Sequence, residues 1–282
     1  MWFSVVAGEY PVAAGSLKQS EEQDMRAMGL LIAVGLCAPA MATIVYNGGT
    51  ISENFDTLPT ANVTGVFSAT AGVQAAIPGL TAWSGAKIAG SGTAATNFIA
   101  NDGTSNTGAL FSMGLAGNGE RALGTTASGT NVFAFGVDLV NGTGGVLTQV
   151  TISFTKEQWR SSTSTNNVLS FAYGLSGGSI TGANFLSDAS LSPETNLDVV
   201  GDPFVTTNGA LNPPSTALVS YTITGLNWQA GDSLFIRWSD VNDIGNDAML
   251  GIDDFSFAAV PTPGTAALLG LGGLVMARRR RA

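Results

Sequence analysis

The sequence predicts an all-β fold, an antiparallel β-sandwich of jelly-roll-like winding, with a signal helix before it and an apolar sorting helix after it. Three observations predict the sandwich. Five windows alternate apolar and polar residues with a period of two, the spacing of a strand that buries one face. Turn-forming pairs separate the windows, at Asn141-Gly142, Gly177-Gly178, Asn208-Gly209 and Gly231-Asp232. The composition, with 37 Gly and 11% charged residues in 282, disfavours helices, since Gly is costly in a helix interior and Thr and Asn rank low there.

In chain order, NVFAFGVDLVN places Phe133, Phe135, Val137 and Leu139 on one strand face, and LTQVTISFT places Val150, Ile152 and Phe154. Leu169, Phe171 and Tyr173 form the next set, followed by Val219, Tyr221 and Ile223, then Leu234, Ile236 and Trp238. Residues 181–216 alternate weakly and hold several prolines, which predicts a long excursion with room for a short helix. A β-helix is the competing architecture for a chain this rich in Gly, Asn and Thr. It requires a repeat of roughly 20 to 50 residues, and none is visible.

The ends differ from the middle. Residues 1–24 have no order of charge followed by apolar residues and read as an extension outside the native coding sequence, with the true start at Met25 or Met28. Residues 25–42 read as a signal peptide: Arg26 is the basic residue, GLLIAVGLCAPA the apolar run, and Ala40-Met41-Ala42 the cleavage site, with cutting after Ala42. The one cysteine, Cys37, lies within this segment, and Leu36 is too bulky to precede a lipidated cysteine. The mature domain, residues 43–259, thus has neither a thiol nor a disulfide, and its stability rests on burial and strand pairing.

Residues 260–282 begin with Pro261 and Pro263, continue as an uncharged run of Leu, Gly and Ala, and close on Arg278, Arg279, Arg280 and Arg281. An apolar run capped by arginines halts translocation, because positive charge is costly in hydrocarbon and is retained on the cytoplasmic side. About 14 apolar residues are marginal for a permanent span and suit transient membrane contact. This ending resembles the PEP-CTERM sorting signal, with Thr262 standing where that signal has Glu. The resemblance implies export through the secretion machinery and handling by an exosortase-type enzyme. Delivery would be to the cell envelope, outer surface or extracellular matrix of a bacterium.

A second resemblance runs through ENFDTLP, ALG, KEQWR, LSFAYGL, IRWSDVND and GIDDFSF, between about residues 53 and 257. This series is similar to a β-sandwich module of secreted and surface-attached bacterial proteins. It implies that the final IDD strand pairs back against the first.

Charge and composition narrow the function. Residues 43–260 carry 16 acidic against 5 basic side chains, the opposite of the basic footprint that nucleic acid requires. The chain has no His, which excludes Ser-His-Asp and Cys-His nucleophiles, imidazole bases and His-ligated zinc. The densest acidic run, DVNDIGND, offers Asp240, Asn242, Asp243, Asn246 and Asp247 as oxygen ligands for Ca2+. It lacks the EF-hand pattern, and its other reading is a polar inter-strand loop built on Asx turns. In LGIDDFSF, a regular strand sends Asp253 and Asp254 to opposite faces, with Arg160 or Arg237 as partner for the inward one. Trp83, Trp159, Trp228 and Trp238 are either core or sugar-stacking platforms.

These readings converge on a non-catalytic structural or adhesive protein at the cell surface. The alternative is a module binding calcium or surface glycans. A carboxylate-dependent glycoside hydrolase ranks third, since nothing selects a pair among the acidic side chains.

Overall fold

The computed structural model describes residues 42–92 and 96–261. The N-terminal extension, the signal segment with Ala40, and the tail with Pro263 and Arg278, Arg279, Arg280 and Arg281 lie outside the described residues. Both predicted terminal helices fall there as well. Ala42 is described and is exposed.

Among the described residues the strands follow in the order β1 (Ile44–Tyr46), β2 (Thr50–Glu53), β3 (Ala75–Ala76), β4 (Trp83–Ala89), β5 (Phe98–Asn101), β6 (Ala109–Met113), β7 (Ala122–Thr126), β8 (Val132–Asn141), β9 (Leu147–Arg160), β10 (Val168–Leu175), β11 (Ser192–Pro193), β12 (Val199–Val200), β13 (Ala210–Trp228), β14 (Ser233–Ser239) and β15 (Met249–Pro261). One sheet has the order β11-β10-β14-β8-β4-β3, with β1 on β8 and β12 on β10. The other has the order β13-β9-β15-β7-β6-β5, with β2 on β15. The expected antiparallel pairing holds except where β1 meets β8 and β5 meets β6, which are parallel.

The pairing is nested. β7 pairs with β15, β8 with β14, β9 with β13 and β10 with β11, so that early strands meet late ones as in a long hairpin wound over two layers. The final strand also pairs with β2, placing Phe255 opposite Glu53 and Phe257 opposite Ile51. β2 and β7 thereby share one edge of β15.

All five alternating sets face the space between the sheets and join one core cluster, with Tyr173, Val219 and Tyr221 half-buried at its margin. Aromatic rings dominate the centre. Trp238 of the first sheet lies 5.1 Å from Phe171, 5.8 Å from Phe135 and 6.3 Å from Trp83, centroid to centroid. It also meets Phe154 and Phe255 of the second sheet at 5.4 and 6.1 Å, both edge-on, the geometry that aromatic quadrupoles favour. Its indole Nε1 donates to the Leu197 carbonyl at 3.3 Å, so the polar edge of the ring is satisfied inside the core.

The excursion is shorter than predicted. Its residues Phe185, Leu186 and Leu191 cover the outer face of the first sheet, against Ala86, Ala134, Ala172 and Phe235. The expected short helix is a single 3-10 turn, Thr195–Leu197. β13 begins at Ala210, and Pro213 and Pro214 sit within it at a break in register between Ala210 and Ser215. An edge strand tolerates prolines there because no ladder bond is lost.

A smaller apolar cluster of Phe111, Met113, Trp159 and Met249 lies on the outer face of the second sheet. Gly124 of β7 and Gly251 of β15 lie side by side beneath it, and the Met113 thioether rests on both. A methyl group on Gly251 would meet Met113 and the Leu123 carbonyl, whose backbone cannot give way. Overpacking of this kind costs about 1–3 kcal/mol. Gly251→Ala is therefore expected to lower the unfolding free energy measured in urea by about 1–3 kcal/mol, and an unchanged midpoint would contradict the packing described.

Candidate functional site

The predicted calcium loop joins β14 to β15. Asp240 is 6% exposed and accepts from the Val241 amide at 2.8 Å. Burial, reinforced by the charge of Asp247, raises its pKa well above the carboxylate range. Asp247 accepts from the Asp243 amide at 3.2 Å, and burial raises its pKa to about 6. Asp243 accepts from the Asn166 side chain at 3.1 Å, while the Asn246 carbonyl takes the Ser162 hydroxyl at 2.8 Å. Asn242 is exposed. Among the described residues no three carboxylates are grouped to hold a metal ion. The loop is latched to residues 162–167 by turns and amide contacts, the arrangement of a polar connection.

Asp253 and Asp254 part at a β-bulge. Asp253 lies opposite Thr155 and Ser256 opposite Ser153, so two residues of β15 face the single Phe154 of β9. Asp254 takes φ 48 and turns to solvent, which keeps Phe255 in the core. Asp253 is 4% exposed and lies on the outer side of the sheet, since Ile252 and Phe255 point inward.

The expected arginine partners are elsewhere. Arg160 donates to the Gly103 and Thr104 carbonyls at 3.0 and 3.2 Å, and Arg237 to the Leu186 and Asp188 carbonyls at 3.3 and 2.9 Å. Strand position explains this correction: Arg160 ends β9 beside the loop after β5, and Arg237 faces the excursion over the first sheet. Asp253 instead shares a hydrogen bond with Glu120 and lies near Glu157. Burial first, then these carboxylates, raises its pKa to about 8. Glu157 is raised chiefly by burial and accepts the Trp159 indole at 2.6 Å.

All four tryptophans considered as sugar platforms are buried. A hollow lies elsewhere, at one end of β5, β6 and β7. About 170 Å³ is enclosed by Thr60, Ala100, Asn101, Asp102, Gly114, Ala116 and Arg121. Arg121 is 2% exposed, and burial lowers its pKa. Its Nε donates to the Ser112 hydroxyl at 2.8 Å, Nη2 to the Ser112 carbonyl and Nη1 to the Leu115 carbonyl at 3.5 Å. These partners are neutral, and a guanidinium has five N–H donors. Across the hollow, Asp102 accepts the Thr104 hydroxyl at 2.7 Å, which holds its carboxyl below the usual range. Sequence reasoning passed over this group. The available signal was Arg121 itself, one of 5 basic residues in the domain and set immediately before the short strand ALGTT.

No protein-family model and no curated protein matches the chain. Among solved structures, it is similar to TmCBM61 in complex with β-1,4-galactotriose, at 12% identity over 51% of this chain and 74% of that one, with a TM-score of 0.26. It is similar to the K3 cleaved adhesin domain of Lys-gingipain from Porphyromonas gingivalis, at 14% identity over 52% and 79%, with a TM-score of 0.29. A third similarity is to the CBM22-1 xylan-binding domain of Paenibacillus barcinonensis Xyn10C, at 12% identity over 78% and 99%, with a TM-score of 0.28.

The buried acids set a pH dependence. Between 3.8 and about 8 the folded chain holds a proton on Asp253 that the unfolded chain has lost, and Asp247 adds the same effect between 3.8 and about 6. Stability therefore falls as pH rises through this window. The melting temperature is expected to be higher at pH 5 than at pH 8, and Asp253→Asn to reduce the difference, with Asp240 and Asp247 supplying the rest. A profile that rises toward pH 8 would refute the protonated acid cluster.

Proposed function

We propose that this chain is an exported, non-catalytic jelly-roll-like sandwich that serves as a structural or adhesive unit on the envelope or in the extracellular matrix of a bacterium. The observation that carries the reading is the course of β15. This strand reaches Pro261, the first proline of the stretch that resembles a sorting signal, which supports a sandwich joined directly to such a tail. An exosortase-type enzyme acting on the tail would need no linker to leave the sandwich intact. Fractionation and intact mass of the native protein test this. A surface or matrix species that starts at Thr43 and lacks the arginine cluster is expected, whereas a full-length cytoplasmic species overturns the reading.

A second reading, glycan binding, is favoured by one observation: a buried guanidinium with donors to spare faces an ionised Asp102 across an open hollow. A ligand that both donates and accepts hydrogen bonds fits between them, and a neutral sugar hydroxyl does both. Arrays of neutral and uronic oligosaccharides supply the test. Neutral sugars are expected to bind, with affinity at least tenfold weaker in Asp102→Asn. Binding unaffected by that substitution, or no binding, removes this reading and leaves the structural one standing.

A further inference from the structure

β13 forms one edge of the second sheet. It pairs with β9, and among the described residues no strand lies on its other side. From Ser215 to Thr224 the register with β9 is continuous, opposite Gln158 through Gln149. Long exposed edges in soluble proteins are normally blunted by charge, proline, bulges or a covering loop, because their unpaired backbone groups invite another strand. Here blunting is confined to the ends, with Pro213 and Pro214 on one side and the irregularity between Thr224 and Trp228 on the other. The whole strand, ALNPPSTALVSYTITGLNW, has no charged residue. Its centre, LVSYTIT, is rich in β-branched and aromatic residues and free of Pro and Gly, a composition that favours strand-to-strand pairing.

We propose that β13 is a homotypic docking strand, through which two copies of this chain join antiparallel, edge to edge, over residues 215–224. Charge selects the second copy as occupant. The chain carries a net charge of −9, so two copies repel over most of their surfaces, and an uncharged edge is where their approach costs least. The side chains are self-complementary as well. On the outer face, Leu218 is 76% exposed beside exposed Ser220, Thr222 and Thr224. The Thr222 hydroxyl already bonds that of Thr151 on β9 at 2.8 Å, and a partner strand extends the hydroxyl row by the same contact. On the inner face, Val219 and Tyr221 are half-buried at the margin of the core, and the same residues of the copy complete their cover. A twofold contact of this kind closes at two copies. It does not depend on where the protein is sorted.

Sedimentation and hydrogen exchange of the full chain test the proposal. The wild-type chain is expected to dimerise reversibly, with amide protection across residues 215–224 that rises with protein concentration. Ser220→Lys with Thr222→Lys, both at exposed outer positions, is expected to raise the dimer dissociation constant at least tenfold, while the melting temperature at concentrations too low for the dimer stays that of the wild-type chain. Both chains keep the same apolar ends, so association through those ends would survive the substitutions and would overturn the proposal. Protection of residues 215–224 in the wild-type chain that is independent of concentration would also overturn it, whatever the variant does, since it would place a segment of the same chain on the edge or leave the edge bare.

Discussion

Contact between the aromatic rings of two sheets is the interaction on which this structure depends. The domain has neither disulfide nor thiol, and few of its residues are charged, so the layers are held chiefly by burial, with a few hydrogen bonds between them such as that from the Tyr46 hydroxyl to the Ala259 carbonyl. Trp238 is the centre of that burial. It touches rings from both sheets and anchors the 3-10 turn through its indole nitrogen. Because the ring is large and rigid, it fixes the spacing of the layers while losing little conformational freedom on folding.

Both outer faces are also partly covered, and this shapes the chemistry of the surface. The excursion seals one face of the first sheet, while a cluster around Phe111 and Trp159 occupies the other sheet. Carboxylates at the margin of that second cluster are drawn out of water and hold protons that exposed acids would release. The acidic composition of the sequence therefore overstates the negative charge of the folded domain near neutral pH.

Strands whose residues alternate between large apolar and polar or small side chains were legible in the sequence, and all five were located with their inward residues correct, β8 included although it is buried on both faces. β4, β6 and β7 were not, because most or all of their residues are buried on both faces and alternation disappears when both faces are covered. The pairing of the final strand with β2 followed from a resemblance, not from periodicity. The site was less legible. The sequence placed Asp253 and Asp254 on opposite faces with an arginine for the inward one, yet neither points into the core and Asp253 has carboxyl neighbours instead, since a bulge and two distant arginines are tertiary facts. Arg121 was missed because a lone arginine just before a strand gives no sign of what lies opposite it.

The place of β15 has a mechanical consequence. Strand hydrogen bonds lie across the chain direction, and β15 is laddered by β9 on one side and by β2 and β7 on the other. A pull applied at Pro261 along the strand axis therefore strains both ladders in shear, many bonds together. An edge strand pulled outward would instead peel, one bond at a time. Tension on the C-terminal end is thus borne by two ladders at once.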